Sequence, residues 1–295
     1  MTPVSFSATT AARPAVDSGV TTAQILGAQA RRGKDFAATA LRRAATAWFI
    51  VAVLGQLLFA FYVTVFYGRA TLHGRFEEWN KVLYHGYVPG AGVHNAVLAS
   101  HLLLAVVVML GGALQLLPQL RRRWPVFHRW NGRVYVLATM FAAAGGLGMV
   151  LGGKQVGDLS QHVAVGLNAL TIFTCASFAW GHAMARSFDG HRRWALRLFL
   201  VAGGVWFFRI GLMLWIVANH GPVGFDPKTF TGPFLTILSF AQFLLPLAIA
   251  QLCFHAQDRR SARGQLAMAG VLGAATLMTA GGVAAAAAIM WLPHL

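Results

Sequence analysis

Four histidines and one arginine are the residues of this sequence best suited to chemistry: His101, His128, His162, His191 and Arg209. Each lies in or beside a long apolar run, where an ionisable side chain is expensive and its presence points to a task. Neutral imidazole is a common axial ligand of haem iron, and the histidine spacing suggests paired ligands. His101 stands 27 residues before His128, and His162 stands 29 before His191. The second member of each pair opens a similar motif. One reads His128-Arg129-Trp130-Asn131-Gly132-Arg133, the other His191-Arg192-Arg193-Trp194-Ala195-Leu196-Arg197. This predicts two repeated helical hairpins, about 93–152 and 162–218, related by an approximate two-fold axis along the membrane normal. His101 would then face His162 near one membrane surface, and His128 would face His191 near the other. Each pair could ligate a haem b, with Arg129 and Arg192 holding propionates through charge-assisted hydrogen bonds. Arg209 would hold a propionate or a quinone oxygen.

Structural roles compete with these. His128 and His191, with their arginines, equally suit helix ends anchored on lipid phosphate. His101 and His162 could be core hydrogen-bonders. The pattern also departs from two-haem membrane cytochromes, which usually carry two ligands on one helix; here each span supplies one.

The elements that must position these residues are transmembrane helices. The 295 residues are 57% hydrophobic and only 11% charged, with a mean hydropathy of +0.60. Soluble domains carry about a quarter charged residues, so a soluble enzyme and a disordered chain are both excluded. A spanning helix needs about 20 mostly apolar residues. Seven stretches qualify: Ala44–Phe66, Val93–Pro118, Arg133–Gly152, His162–Met184, Trp194–Ala218, Gly232–Phe254 and Leu266–Leu292. The expected fold is an all-α integral membrane protein, with residues 44–292 as a seven-helix domain and spans two to five as its core. Residues 1–43 read as a disordered tail or a weak interfacial helix. Cys175 and Cys253 both fall in apolar runs and form no disulfide framework.

Basic residues set the expected orientation. The tail carries Arg13, Arg31, Arg32, Lys34, Arg42 and Arg43. The second, fourth and sixth connections add Arg121–Arg123, Arg129 and Arg133; Arg186, Arg192, Arg193 and Arg197; and Arg259, Arg260 and Arg263. The opposite side has Arg69, Arg75, Lys81, Lys154 and Lys228. The partition predicts a cytoplasmic N-terminus, an outer C-terminus and a multi-pass protein of the bacterial inner membrane. It also accounts for the net charge of +16 through anionic lipid at the cytoplasmic face, leaving no need for a nucleic-acid partner.

All eight acidic residues (Asp17, Asp35, Glu77, Glu78, Asp158, Asp189, Asp226, Asp258) lie in the tail or connections. Ion-coupled transporters commonly keep a carboxylate within the membrane, so its absence weighs against ion coupling. Metalloprotease, phosphate-loop and nucleophile-elbow motifs are absent too. Arg209, His101, Asn168, Gln242 and Gln56 fall at comparable depths and suggest a polar layer in the outer half of the bundle. The first outer connection, Tyr67–Gly92, carries His73, Trp79, Tyr84, His85 and Tyr87 and is expected to lie along the interface. Trp48, Trp124, Trp130, Trp194 and Trp291 look like belt residues at the membrane surfaces.

The stretch from about His94 to Arg209 resembles a family of bacterial multi-pass membrane proteins of unassigned function. The residues that carry the likeness are His101, Gly112, Gln115, Arg121-Arg122-Arg123-Trp124-Pro125, His128-Arg129-Trp130, Gly132-Arg133-Val134-Tyr135-Val136, His191-Arg192-Arg193-Trp194, Arg197 and Arg209. Ala195 stands where that family usually has Met. The resemblance implies an integral membrane protein of six or more helices and supplies no activity. From the residues themselves, the first expectation is a b-type cytochrome-like electron carrier that exchanges electrons with a quinone or redox partner. The second is a transporter or receptor binding an anionic or amphiphilic ligand at His101 and Arg209. The third is an assembly subunit or oligomer that docks through its glycine-rich last span.

Overall fold

In a lipid interior only a helix or a closed barrel satisfies every backbone N–H and C=O, and these apolar runs fold as helices. The computed structural model describes residues 22–83, 86–152 and 157–295. Arg13, Asp17, Tyr84, His85 and Lys154, each used above, lie outside the described residues, as does the tail before Thr22. The helices are α1 (Thr22–Leu72), α2 (Gly92–Gln115), α3 (Pro118–Arg123), α4 (Pro125–Leu151), α5 (Leu159–Met184), α6 (Phe188–Ala202), α7 (Gly204–Ala218), α8 (Pro233–Arg259) and α9 (Ala262–Ala286). A 3-10 helix covers Phe76–Lys81, and α9 runs on through a π-helical turn, Ala287–Trp291, into a short 3-10 turn, Leu292–His294. The described residues contain no β-strand, only an isolated bridge between Asp226 and Thr231.

Local chemistry sets several of these boundaries. Proline opens α3, α4 and α8, where its missing N–H costs nothing. Asp158 caps α5 by accepting from the Gln161 backbone N–H at 3.0 Å, and Ser261 caps α9 through Gly264. Asp158 also accepts from the Ser160 hydroxyl and from Thr236 of α8 at 3.5 Å. The Ser160 hydroxyl, followed by the Gln161 amide, holds its carboxyl below the usual carboxylate range.

Six helices are long and apolar enough to cross a membrane: α1, α2, α4, α5, α8 and α9. The seventh expected span, Trp194–Ala218, is present as a bent pair of helices. That stretch is divided into α6 and α7, bent by 51° at Gly203-Gly204. The boundary at residue 43 also falls inside one continuous helix, because α1 begins at Thr22. His128 and His191, expected in connections, each sit three residues inside a helix, α4 and α6 respectively.

α1 packs chiefly on α9, α2 on α4, and α5 on α6, with further contacts joining α4 to α5 and α7 to α9. Two apolar clusters fill the bundle. An aromatic one joins α1, α7 and α9 through Phe59, Tyr62, Phe66, Tyr67, Trp206 and Trp291. The other lies among α2, α4, α5, α6 and α8 around Tyr135, Ile172, Cys175, Val201 and Phe243. Arginine clusters gather at one end: Leu41 of α1 packs with Ala256 of α8 and Met268 of α9 there, and Arg193 pairs with Asp258.

Candidate functional site

The bend at Gly203-Gly204 interrupts a span inside the bundle, and polar side chains converge on it from three other helices. A Cβ added at Gly203 would lie 3.3 Å from the amide nitrogen of Gln56 on α1. One added at Gly204 would lie 2.9 Å from that of Asn168 on α5 and 3.6 Å from Oε1 of Gln242 on α8. The two glycines are what allow these amides so close to the backbone. Gln56, Asn168 and Gln242 are 1%, 9% and 7% exposed. Gln242 donates to the Ser239 carbonyl at 2.9 Å, whereas Oε1 of Gln56 and Oδ1 of Asn168 are buried without a hydrogen-bond partner. An unsatisfied buried acceptor costs about 1–3 kcal/mol, so two together are notable.

Five residues along α7 from the bend stands Arg209. Its guanidinium lies over the ring of Phe59, 5.4 Å from the centroid, and within electrostatic reach of Tyr62 and Tyr67. Its hydrogen bond goes to the Val205 carbonyl of its own helix, at 3.3 Å. The ion pairs among the described residues are Arg75 with Glu78 and Arg193 with Asp258; none involves Arg209. The surroundings add polar groups that are neutral. The indole N–H groups of Trp79, Trp206 and Trp291 are buried without partners, and all three belong with Tyr62 and Tyr67 to the aromatic cluster. Trp291 lies 5.4 Å from Phe59 and 6.5 Å from Tyr62, centroid to centroid. A guanidinium and an indole donate and cannot accept. The hydroxyls of Tyr62 and Tyr67 can do both, so the acceptors near Arg209 are neutral ones and none carries a compensating negative charge.

His101 turns toward α4, with Nδ1 3.1 Å from the Ala142 carbonyl and its ring beside Gly145 and Gly146. It also lies within electrostatic reach of Arg209. A carbonyl only accepts, so Nδ1 carries the proton and Nε2 the lone pair. His191 is held the same way, Nδ1 donating to the Ala179 carbonyl of α5 at 2.9 Å. His128 lies within electrostatic reach of His191; its Nε2 faces the Gln115 amide nitrogen at 3.3 Å, and its Nδ1 is buried without a partner. Asn131 completes that level by donating to Gly111 and Gln115, both at 2.9 Å. His162 is half-buried with an unpartnered Nε2. The structure thus brings His128 to His191 and His101 to Arg209, and no hydrogen bond joins His101 to His162.

Arg129 and Arg192 are exposed. The neighbouring Arg193 and Arg197 fasten α6 to α8: Arg193 pairs with Asp258, Arg197 donates to Gln251 at 2.8 Å, and both guanidiniums lie over Phe254. Trp194 stacks on Phe178 at 4.6 Å. Trp291, expected at the membrane surface, is fully buried in the aromatic cluster. Sequence reasoning also missed Phe59, Tyr62 and Trp206 as companions of Arg209. Phe59 and Tyr62, three residues apart on one helical face with Gln56, were a usable signal, and so was the glycine pair in mid-span.

A family model described as Predicted membrane protein (DUF2306) matches residues 98–254, just over half of the chain. No curated protein matches the chain, and no solved structure matches it.

Proposed function

We propose, for a chain that belongs to the DUF2306 family of predicted membrane proteins, a transporter or receptor that binds the anionic head of an amphiphilic molecule inside the bilayer. The carrying observation is Arg209, nine residues from the end of α7 and so about 13 Å along the helix. No carboxylate pairs with it among the described residues, and its guanidinium lies over Phe59 within electrostatic reach of Tyr62 and Tyr67. An arginine at such depth is costly unless paired, and a carboxylate, sulfonate or phosphate monoester head would supply the missing negative charge. The aromatic walls suit the adjoining apolar chain. His101 stands near enough to sense the charge. The positive-inside rule supports a cytoplasmic arginine-rich end, with Arg209 in the outer half.

The test is thermal denaturation of the detergent-purified protein with decanoate or decanol. Decanoate is expected to raise the Tm of the native protein, decanol to do so far less, and Arg209→Met to abolish the difference. Equal stabilisation by acid and alcohol, or an undiminished decanoate effect in Arg209→Met, overturns the proposal.

A second function is favoured by a separate observation. The carbonyl bonds of His101 and His191 leave both Nε2 atoms as lone-pair donors, the arrangement that orients a metal-ligating imidazole. A membrane electron carrier would use them, with His128 and His162, to hold haem b, while Arg129, Arg192 and Arg209 hold propionates or a quinone oxygen. Bound haem would supply one-electron chemistry. A reduced-minus-oxidised spectrum with bis-histidine bands that vanish in His101→Ala supports this function. Colourless protein from haem-replete cells contradicts it.

A further inference from the structure

Three consecutive arginines, Arg121, Arg122 and Arg123, sit on the short helix α3 that joins two spans, bracketed by Pro118 and Pro125. Both neighbours, α2 and α4, are long and apolar enough to cross a membrane, so α3 lies where the apolar interior gives way to headgroups. Neither ion pair among the described residues involves the three arginines. Beside them opens a groove of about 640 Å³, within the roughly 300–1,000 Å³ of small-molecule clefts. Its walls include Leu114 of α2, Leu120 of α3, and Trp124, Val126 and Phe127 at the junction with α4, and its charged lining residue is Arg123. Successive helical residues point about 100° apart, so the arginines do not share one direction. Arg123 lines the groove, Arg121 is within electrostatic reach of His128, and Arg122 is exposed outside the groove.

We propose that this groove seats one anionic phospholipid, its headgroup phosphate on Arg123 and an acyl chain along Leu114, Leu120 and Phe127. An apolar wall beside a guanidinium that has no carboxylate suits both halves of an amphiphile. A free phosphate would leave the wall uncovered, and a zwitterionic lipid would bring its own cation to the arginines. The planar guanidinium can donate two charge-assisted bonds to one phosphate, and the amphipathic ring of Trp124 favours the headgroup level. This is a single seated lipid, distinct from the diffuse attraction of the basic face for anionic lipid. It is independent of the site at Arg209, which lies on α7.

The experiment is native mass spectrometry of the full-length detergent-purified protein titrated with dioleoylphosphatidylglycerol or dioleoylphosphatidylcholine. One phosphatidylglycerol per chain is expected at a concentration at least tenfold below that needed for phosphatidylcholine. Arg123→Ala should erase the preference. Arg122→Ala, which removes the same charge one residue away, should keep it, as should Arg209→Met. Phe127→Ser should weaken both lipids, and unchanged retention there overturns the acyl-chain placement. Equal retention of the two lipids by the native protein overturns the proposal. So does an equal loss in Arg122→Ala and Arg123→Ala, the mark of diffuse surface charge, or a loss in Arg209→Met, which puts the lipid at the other site. Glycerol phosphate bound as tightly as the lipid overturns it too, leaving a bare phosphate site. The comparison on the native protein decides even where a variant fails to fold.

Discussion

Arg209 is the residue on which the proposed function turns, because its neighbours offer it only neutral acceptors, the Val205 carbonyl and the hydroxyls of Tyr62 and Tyr67. The cation–π contact with Phe59 contributes about 0.5–2 kcal/mol, too little to offset burying a charge in lipid, and the proposed anionic partner would make up the difference. Charge-assisted hydrogen bonds are each worth about 1.5–3 kcal/mol. Arg209→Lys, which keeps the charge and loses the planar fork, is therefore expected to weaken decanoate about tenfold in a thermal-shift titration, and Arg209→Met about a hundredfold. Tyr62→Phe and Trp291→Phe each delete one buried donor, the hydroxyl of Tyr62 and the unpartnered indole N–H of Trp291. Both should weaken the same ligand by a smaller factor in the thermal-shift titration, Trp291→Phe also lowering the melting temperature because it leaves a cavity in the core. Arg209 was legible in the sequence, being the one basic residue within an apolar run. Tyr62 and Trp291 were not. A tryptophan near a helix end reads as a membrane-surface residue, and only the packing of α9 on α1 turns this one inward.

Among the elements, glycines separate space-making from mere composition. In α9, a Cβ at Gly282 would meet the backbone oxygen of Ile210 at 2.7 Å, whereas Gly270 has nothing within 4 Å. Gly282→Ala is thus expected to destabilise by about 1–3 kcal/mol through overpacking on α7. Gly270→Ala should be neutral or stabilising by up to about 1 kcal/mol from helix propensity. Paired melting curves check both. The small-residue character of the last span was visible in the sequence and suggested a docking face; in the structure Gly282 is used inside the chain. At the start of α5, Asp158 gives a pH signature. Its carboxyl is held below the ordinary value of 3.8, first by the Ser160 hydroxyl and then by the Gln161 amide. Its stabilising effect is complete above that ordinary value and disappears as pH falls through the depressed one. Melting temperatures of native protein and Asp158→Ala should differ at neutral pH and converge in that acidic window; a difference unchanged at low pH would contradict the cap. Helix number and approximate spans were readable because twenty apolar residues have few other fates. The 51° bend was not, since hydropathy is continuous across Gly203-Gly204 and only the convergence of Gln56, Asn168 and Gln242 marks it.

At the scale of the whole molecule, the charge pattern and the packing agree on a bundle with one arginine-rich end, while the membrane sidedness of that end comes from charge alone. Impermeant maleimide applied to intact cells should label Lys228→Cys and spare Arg259→Cys, both exposed positions at opposite ends; the reverse would invert the bundle and move Arg209 to the cytoplasmic half. The polar residues of five different helices meet only in three dimensions, which is why the sequence suggested a layer without assigning donors and acceptors within it. The most direct measurement of the central claim is native mass spectrometry of the detergent-purified protein after exchange into decanoate. One decanoate per chain retained by the native protein and absent from Arg209→Met is the predicted result. Equal retention by the two proteins, or none by either, would contradict an anion site at Arg209.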